Sequence, residues 1–289
     1  MLIIGGDMRS ACLARLAARE GWQVQAVGFD QLPQAEEVRW TSLSEAVPAS
    51  RVVLAFPLSE KDGFVPAPFA QAPLPLAEVT RLLLPGCQIW VGRIGPLLRA
   101  HAETWGITFI DPNQSEAFAV ANAVPSAEGA IFAAMCASQK CIHGSACLII
   151  GFGRIGQALA QKLHALGATV MVAARKAHAR AWAEAMGCQT CTITALQQVI
   201  GRMDTVFNTV PAPVIDSEVL QATRKEVRMI DLASPPYGID LEVAQALGRN
   251  AWREPGIPGR YAPETAAAIL LEALKQGKDC LQVKALITI

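Results

Sequence analysis

The feature that most constrains this chain is an apolar run, residues 147–150, that ends in Gly-x-Gly-x-x-Gly. The run predicts a buried strand, residues 157–166 have apolar side chains at helical spacing, and residues 169–174 predict a second strand. In such a βαβ unit the glycine turn and the helix N-terminus bind the pyrophosphate of a dinucleotide. We therefore predict a dinucleotide site, with a tight turn that binds no ligand as the alternative. The predicted site comprises Gly151, Phe152, Gly153, Arg154, Ile155 and Gly156.

The end of the second strand indicates which dinucleotide is bound. A site that selects NAD usually has Asp or Glu there, hydrogen-bonded to the ribose 2′-OH. This chain instead continues into Arg175 and Lys176, and the next carboxylate is Glu184. Because two cations suit a 2′-phosphate, the sequence favours NADP over NAD as the cofactor. The alternative is that both side chains belong to an ordinary solvated loop.

Two later strands are expected to border the nicotinamide half of the cofactor. In open α/β sheets, ligands bind beyond the carboxyl ends of the strands. One predicted strand ends in Asn208-Thr209-Val210-Pro211 and the next in Asp231-Leu232-Ala233-Ser234. The cofactor contacts predicted from these two ends are Thr209, Val210, Pro211, Leu232 and Ala233.

Strands also alternate with helices upstream of the fingerprint, starting at the apolar residues 2–4. The predicted fold class is therefore α/β, with two Rossmann-like parallel-sheet domains and a cleft between them. We place the first domain at residues 1–112, a linker helix at 113–140 and the NAD(P)-binding domain at 141–263. Residues 264–289 predict a helix that packs at the interdomain seam or on the first domain. Within the linker, Ser126 is predicted to cap a helix over 127–137, with Glu128 in its first turn.

Composition excludes several classes of partner. Although 52% of the 289 residues are hydrophobic, no run of 18 apolar residues occurs, which argues against a membrane span. The 25 basic residues balance the 25 acidic ones without a basic block, so nucleic acid is not an expected partner. The N-terminus has no signal-peptide pattern. Of the eight cysteines, Cys188 and Cys191 form a C-x-x-C pair without a second pair or a histidine at zinc spacing. We predict reduced cysteines, a cytoplasmic protein and no metal site.

Several motifs together resemble the family of dipicolinate synthase A subunits. They run from the first strand to the last helix: Ile4-Gly5-Gly6-Asp7-x-Arg9, Val124-Pro125-Ser126-x-Glu128-Gly129, Ile142-His143-Gly144-Ser145, the glycine fingerprint, Asn208-Thr209-Val210-Pro211, Ile230-Asp231-Leu232-Ala233-Ser234 and Pro255-Gly256-Ile257-Pro258-Gly259. The fingerprint is common to many dehydrogenases, whereas the N-terminal motif and the Ile-His-Gly-Ser element are more specific. Pro236-Tyr237 departs from the resemblance, because a glycine-rich segment is expected there.

The resemblance implies a sporulation enzyme of the mother-cell cytoplasm. Such an enzyme oxidises a dihydrodipicolinate-type intermediate of the lysine branch to dipicolinate with a nicotinamide cofactor. The flavoprotein-like B subunit of dipicolinate synthase is the implied partner, and homo-oligomers remain open. Two alternatives also remain: a cofactor-binding or scaffold subunit without activity of its own, and another two-domain Rossmann dehydrogenase. Other two-domain Rossmann dehydrogenases usually carry a catalytic His with an acidic partner, or a catalytic Lys–Asp pair. Neither arrangement can be placed in this sequence.

The implied substrate determines which residues are candidates for binding and catalysis. A dicarboxylate requires basic groups, and the candidate substrate ligands are Arg9, Arg93, Arg260 and Ser126, with Arg154 a further arginine near the predicted cleft. Oxidation releases a proton, and the candidate bases are Glu128, His143 and Asp231. Each base has a structural alternative: a helix start for Glu128, a strand approach for His143 and backbone hydrogen bonds for Asp231. Because the product is aromatic, proton loss is favourable and a dedicated base is not required.

Overall fold

The computed structural model describes residues 1–56, 58, 63–92, 98–100, 104 and 106–277 of the chain. Within these residues, its strands are β1 Leu2–Ile4, β2 Gln25–Val27, β3 Arg39–Thr41, β4 Ala49–Leu54, β5 Phe64–Val65, β6 Leu74–Pro75, β7 Leu83–Trp90, β8 Thr108–Ile110, β9 Ala146–Ile150, β10 Thr169–Ala173, β11 Gln189–Cys191, β12 Thr205–Asn208, β13 Arg228–Asp231 and β14 Asn250–Arg253. Its helices are α1 Met8–Arg19, α2 Leu76–Val79, α3 Glu116–Cys136, α4 Arg154–Ala165, α5 Ala177–Ala185, α6 Leu196–Val199, α7 Ser217–Gln221, α8 Leu241–Ala246, α9 Ile257–Tyr261 and α10 Pro263–Gln276.

Two six-stranded sheets organise these elements, in the orders β3-β2-β1-β4-β7-β8 and β11-β10-β9-β12-β13-β14. All strand pairs within both sheets are parallel. Numbered within its own sheet, each order is 3-2-1-4-5-6, the arrangement of doubly wound nucleotide-binding folds. The predicted pair of parallel-sheet α/β domains is therefore confirmed. A small antiparallel pair, β5 and β6, lies outside the two large sheets.

The central strands are apolar throughout because a doubly wound sheet is covered by helices on both faces. All three residues of β1 are fully buried, and so are residues 147–150 of β9. A strand in such a sheet therefore has no polar alternation in its sequence.

The chain divides into two compact units. The first comprises residues 1–122 and the described residues from 258 onward, and the second comprises residues 123–257. We predicted boundaries at 112, 140 and 263, whereas the contacts divide the chain within α3 and directly before Pro258. Helix α10 packs on α1, where Leu270 and Leu274 share a buried cluster with Leu13. The last described helix therefore completes the hydrophobic core of the first unit.

The start of α3 differs from the prediction. We expected a helix over 127–137 capped by Ser126, but α3 begins eleven residues earlier, at Glu116, and contains Pro125 in its interior. Ser126 is buried within this helix and does not cap it. Buried alanines at 123, 127, 130 and 134 keep helical spacing on both sides of the proline. Packing along this row stabilises the helix despite the backbone N–H that the proline lacks.

Helix α3 is long and apolar enough to cross a membrane by length and composition, and it is the one helix of this kind in the described residues. However, 56% of its apolar window is buried in the structure. The core helix of a soluble protein passes the same test, so this similarity to a membrane span is weak evidence for one.

Candidate dinucleotide-binding site

The turn after β9 requires glycine at its first position. Gly151 has a φ of 93°, a conformation that favours glycine. A Cβ built on it would meet the hydroxyl oxygen of Thr209 and would lie 2.9 Å from Cγ2 of Val210. That hydroxyl donates a hydrogen bond of 2.9 Å to the carbonyl of Ile150. The loop after β12 therefore packs directly against the fingerprint turn.

The other two glycines control access to the N-terminus of α4. A Cβ on Gly156 would meet the carbonyl oxygen of Gly151, so the helix approaches the turn closely. Gly153 is the N-cap of α4, and because it has no side chain it offers no capping oxygen to the helix. A Cβ built on it would have no heavy atom within 4 Å. The first N–H groups of a helix have no intrahelical partner and carry the positive end of its dipole. An open N-cap next to these donors fits a pyrophosphate.

One row of residues in register crosses the carboxyl edge of the second sheet. Its members, from one side to the other, are Cys191, Ala173, Ile150, Asn208, Asp231 and Arg253. Gly151 follows the Ile150 position, so the fingerprint lies near the middle of this row. In doubly wound folds of this type, the adenosine half of the dinucleotide lies on the side of the sheet that β10 occupies here, and the nicotinamide half lies on the side of β12 and β13.

The β10 side of the row carries the two cations predicted to select the cofactor. Arg175 and Lys176 are both exposed in the turn that follows β10. Arg180 stabilises this turn, because its Nη1 donates hydrogen bonds of 2.8 Å and 3.0 Å to the carbonyls of Ala174 and Arg175. Glu184, the next carboxylate along the chain, instead accepts a hydrogen bond of 2.6 Å from Thr190.

On the nicotinamide side, Asp231 organises the local backbone. Its Oδ1 accepts hydrogen bonds from Asn208 Nδ2 at 2.7 Å and from the Ala233 N–H at 3.2 Å. Its Oδ2 accepts from the N–H groups of Gly238 and Ile239 at 2.9 Å and 3.0 Å. Asp231 is only 1% exposed, so these four donors satisfy a carboxylate that water does not reach.

Asn208 connects the loops after β12 and β13. Its amide group bonds both the N–H and the carbonyl of Val210, in addition to Asp231. Thr209, Val210, Leu232 and Ala233 are half-buried at this edge, and Pro211 is exposed. The structure thus brings the predicted nicotinamide-side residues together at one edge of the sheet.

The other two candidate bases lie elsewhere in this unit. His143 precedes β9 and lies against Gly167, at the amino edge of the sheet. The five residues of β9 put about 16 Å between that edge and the fingerprint turn. Glu128 lies on α3, half-exposed, and its Oε1 pairs with Lys162 Nζ at 2.7 Å. The structure therefore does not bring Glu128, His143 and Asp231 together.

Of the candidate substrate ligands, Arg9 and Arg260 both belong to the first unit. Arg9 is buried, and its Nη2 donates to Asp7 Oδ2 at 3.1 Å and to the carbonyl of Phe56 at 2.9 Å. The Asp7 carboxylate lies against Gly259, the residue before the exposed Arg260. Arg93 lies outside the described residues. Ser126 is buried in α3.

Two residues at the β14 side were missed in the sequence. The guanidinium carbon of Arg253 lies 3.9 Å from the ring centroid of Tyr237. The available signal was Tyr237, which stands where the family resemblance predicts a glycine-rich segment. The sequence could not show that the ring of Tyr237 meets the end of β14.

The C-x-x-C cysteines are not exposed. The Sγ atom of Cys188 lies 3.3 Å from Nε2 of His164. Burial raises the pKa of the Cys188 thiol above its ordinary value. Burial also raises the pKa of Cys191, against a smaller lowering by Arg180. No group of three or more His, Cys, Asp or Glu able to hold a metal occurs among the residues that the structure describes.

The fold and the fingerprint together define a nicotinamide dinucleotide-binding domain of the dehydrogenase type. The family model described as "D-isomer specific 2-hydroxyacid dehydrogenase, NAD binding domain" matches residues 125–247. A transhydrogenase structure from Sinorhizobium meliloti has the same fold, with a TM-score of 0.67 and 14% identity over 96% of this chain and 94% of that one.

Matches to the N-terminal residues and to nearly the whole chain define the family further. The family model for the N-terminal domain of the dipicolinate synthase A subunit matches residues 1–112. The curated A subunit of dipicolinate synthase from Bacillus subtilis (strain 168) is 28% identical over 278 residues, 95% of this chain and 94% of that protein. The crystal structure of the corresponding A subunit from Bacillus halodurans is 30% identical over 95% of this chain and 96% of that one, with a TM-score of 0.85. The chain belongs to the family of dipicolinate synthase A subunits.

Proposed function

We propose that this protein is an NAD(P)-dependent oxidoreductase that converts a dihydrodipicolinate-type intermediate of the lysine branch to dipicolinate. In this proposal it acts with the B subunit of dipicolinate synthase, in the mother-cell cytoplasm of a sporulating bacterium. The observation that carries the proposal is the open N-terminus of α4 at Gly153, which follows β9 at the same edge of the sheet as the organised carboxyl ends of β12 and β13. Likeness to A subunits of dipicolinate synthase over nearly the whole chain supports the substrate class.

In this proposal each candidate residue has a stated role. When bound, the cofactor accepts a hydride from the substrate. The fingerprint from Gly151 to Gly156 binds its pyrophosphate, and the loops after β12 and β13 border its nicotinamide. Arg9, Arg93 and Arg260 remain the candidate ligands for substrate carboxylates. Asp231 is a positioning residue in this proposal, because its four hydrogen bonds leave its oxygens occupied. Proton loss that forms an aromatic ring needs no strong base.

The first test is an absorbance assay with the full chain. The lysine-pathway intermediate is generated enzymatically and mixed with NADP or NAD, with and without the B subunit. Reduced nicotinamide and the aromatic product are expected to appear in step. Both signals from this chain alone identify a complete dehydrogenase, and both only in the presence of the B subunit identify one part of an obligate enzyme. Cofactor binding with neither signal, even when the B subunit is present, contradicts the proposed reaction and favours another substrate.

The cofactor preference is a separate prediction. Arg175 and Lys176 follow β10 with no carboxylate beside them, so we propose that NADP binds more tightly than NAD. Arg175→Ala is expected to raise the Kd for NADP about 10-fold or more, because a charge-assisted contact to the 2′-phosphate is lost. The Kd for NAD is expected to change less than about two-fold, since NAD has no such phosphate.

Isothermal titration of the purified protein with each dinucleotide measures both constants. Arg202→Ala is the matched control, because Arg202 is an exposed arginine just before β12, at the amino edge of the same sheet. Equal losses of NADP and NAD affinity in Arg175→Ala, or none in either, contradict a 2′-phosphate contact.

A further inference from the structure

Tyr237 has an unusual backbone conformation. Its φ is 67°, and it is the one residue other than glycine with a positive φ in the described part of the chain. This left-handed region is disfavoured for a bulky side chain, so surrounding contacts must impose it. They include a hydrogen bond of 3.0 Å from the Tyr237 N–H to the carbonyl of Ser234. Asp231 stabilises the following two residues by accepting their N–H groups. The conformation is one that glycine would adopt without strain.

What tyrosine provides at this position is a platform for Arg253. The Arg253 guanidinium carbon lies 3.9 Å from the centroid of the Tyr237 ring, a close cation–π contact. Arg253 is exposed, and its guanidinium makes no hydrogen bond or ion pair with any residue that the structure describes. Neighbouring Glu254 does not pair with it, but is buried and accepts a hydrogen bond of 3.0 Å from Trp252 Nε1. Stacking covers one face of the guanidinium and leaves its N–H edge available.

The position of Arg253 connects this pair with the cofactor site. On neighbouring strands, Arg253 is in register with Asp231, and Asp231 is in register with Asn208. Asn208 is in turn in register with Ile150, the residue before the fingerprint. Neighbouring strands lie about 4.8 Å apart, so Arg253 lies about 10 Å from Asn208 across the edge of the sheet. The cofactor's nicotinamide half is expected above Asn208 and Asp231. A small substrate beside the nicotinamide therefore comes within reach of a long side chain from β14.

We propose that Arg253, stacked on Tyr237, binds a carboxylate of the substrate on the β14 side of the nicotinamide. A planar guanidinium with its N–H edge exposed can form two parallel hydrogen bonds to a carboxylate. Stacking holds the side chain in one place before the ligand arrives, which lowers the entropy cost of binding. The identity of the ligand as a pyridine-type dicarboxylate rests on the proposed function. The carboxylate site itself rests on the geometry of Tyr237 and Arg253.

The test compares Arg253→Met, Arg253→Lys and the control Arg202→Met with the wild type, using the full chain and the B subunit in the absorbance assay. Arg253→Met is expected to raise KM for the intermediate about 10- to 100-fold, the range for losing a hydrogen-bonded charge pair. Arg253→Lys is expected to recover only part of this loss, because lysine keeps the charge without the fork or the stacking. Arg202→Met is expected to retain the wild-type KM. The Kd for the cofactor should stay unchanged in all three variants.

Tyr237→Gly separates a binding role from a structural one. Glycine relieves the left-handed strain, so the melting temperature is expected to stay level or rise. Removing the platform is nevertheless expected to raise KM several-fold, since Arg253 then samples more conformations. Tyr237→Phe keeps the ring and is expected to retain the wild-type KM. A Tyr237→Gly variant with normal KM and higher stability overturns the proposal.

Direct binding distinguishes failure of this proposal from failure of the proposed function. Pyridine-2,6-dicarboxylate is titrated into the protein saturated with oxidised cofactor. If the wild type turns over the intermediate and Arg253→Met keeps its KM, the reaction stands and the Arg253 site is overturned. If the wild type shows no turnover but binds the dicarboxylate, and Arg253→Met loses at least about 10-fold in affinity, the site stands without the reaction. A wild type that neither turns over the intermediate nor binds the dicarboxylate overturns both.

Discussion

Gly153→Asp is expected to weaken dinucleotide binding at least about 100-fold, because like charges brought together at a binding site cost several kcal/mol. The protein itself is expected to stay as stable as the wild type. Gly153 is the N-cap of α4 and has open space on its side, so an aspartate fits without a clash. At an N-cap, aspartate stabilises a helix by roughly 0.5 kcal/mol more than glycine does, through its hydrogen bond and the helix dipole. The same carboxylate would stand where the pyrophosphate binds. Fluorescence titration with NADP and NAD and a melting curve without cofactor measure the two effects.

Gly153→Ser is the control for this experiment. Serine supplies a cap of similar size without a charge, so its effect on affinity is expected to be much smaller than that of aspartate. Equal affinity of Gly153→Asp and wild type would show that the pyrophosphate does not bind at this helix N-terminus. A large fall in melting temperature would contradict the open space at Gly153.

Asp231→Ala is expected to lower the free energy of unfolding of the second unit by at least about 3 kcal/mol. The change removes an acceptor from four donors: Asn208 Nδ2 and the N–H groups of Ala233, Gly238 and Ile239. Several of these donors are buried, and each one left without a partner costs about 1–3 kcal/mol. Asp231→Asn is expected to cost less but to remain destabilising, because its amide group can accept at only one of two oxygen positions. Urea-induced unfolding followed by tryptophan fluorescence measures these changes.

Asp216→Ala is the matched control in the same unit. Asp216 is exposed and caps α7 by accepting one hydrogen bond of 3.1 Å from the Val219 N–H, so its loss is expected to cost about 1 kcal/mol. If Asp231→Ala costs no more than this control, the four hydrogen bonds do not organise the loops. If Asp231→Asn instead keeps its stability but loses activity with a shifted pH profile, Asp231 acts as a base and its positioning role is wrong.

Much of the fold could be predicted because the signals were local. The apolar runs of β1 and β9 are fully buried, and a buried strand must be apolar whatever surrounds it. The spacing of the fingerprint glycines predicted the turn and the helix that follows, because backbone conformation limits Gly151 to glycine and close packing against the turn limits Gly156. The start of α3 could not be predicted in this way. Pro125 and Ser126 have the composition of a helix start, but packing along a row of buried alanines continues the helix through them.

The sequence by itself determined two parallel-sheet domains and a glycine-rich turn suited to a dinucleotide, since both follow from periodicity and from the backbone freedom of single residues. Only the tertiary structure decided which distant side chains meet. Asn208, Asp231 and Arg253 lie on three strands, and parallel pairing aligns them in one row at the same edge. The same pairing gives Asp231 its donor from Asn208, and Arg253 at the end of β14 meets the ring of Tyr237 from the loop after β13. His143 shows the reverse, because five residues of strand put it at the opposite edge of the sheet from the fingerprint that follows it. Sequence proximity thus misplaces such residues, because the sheet orders its side chains by strand register and not by distance along the chain.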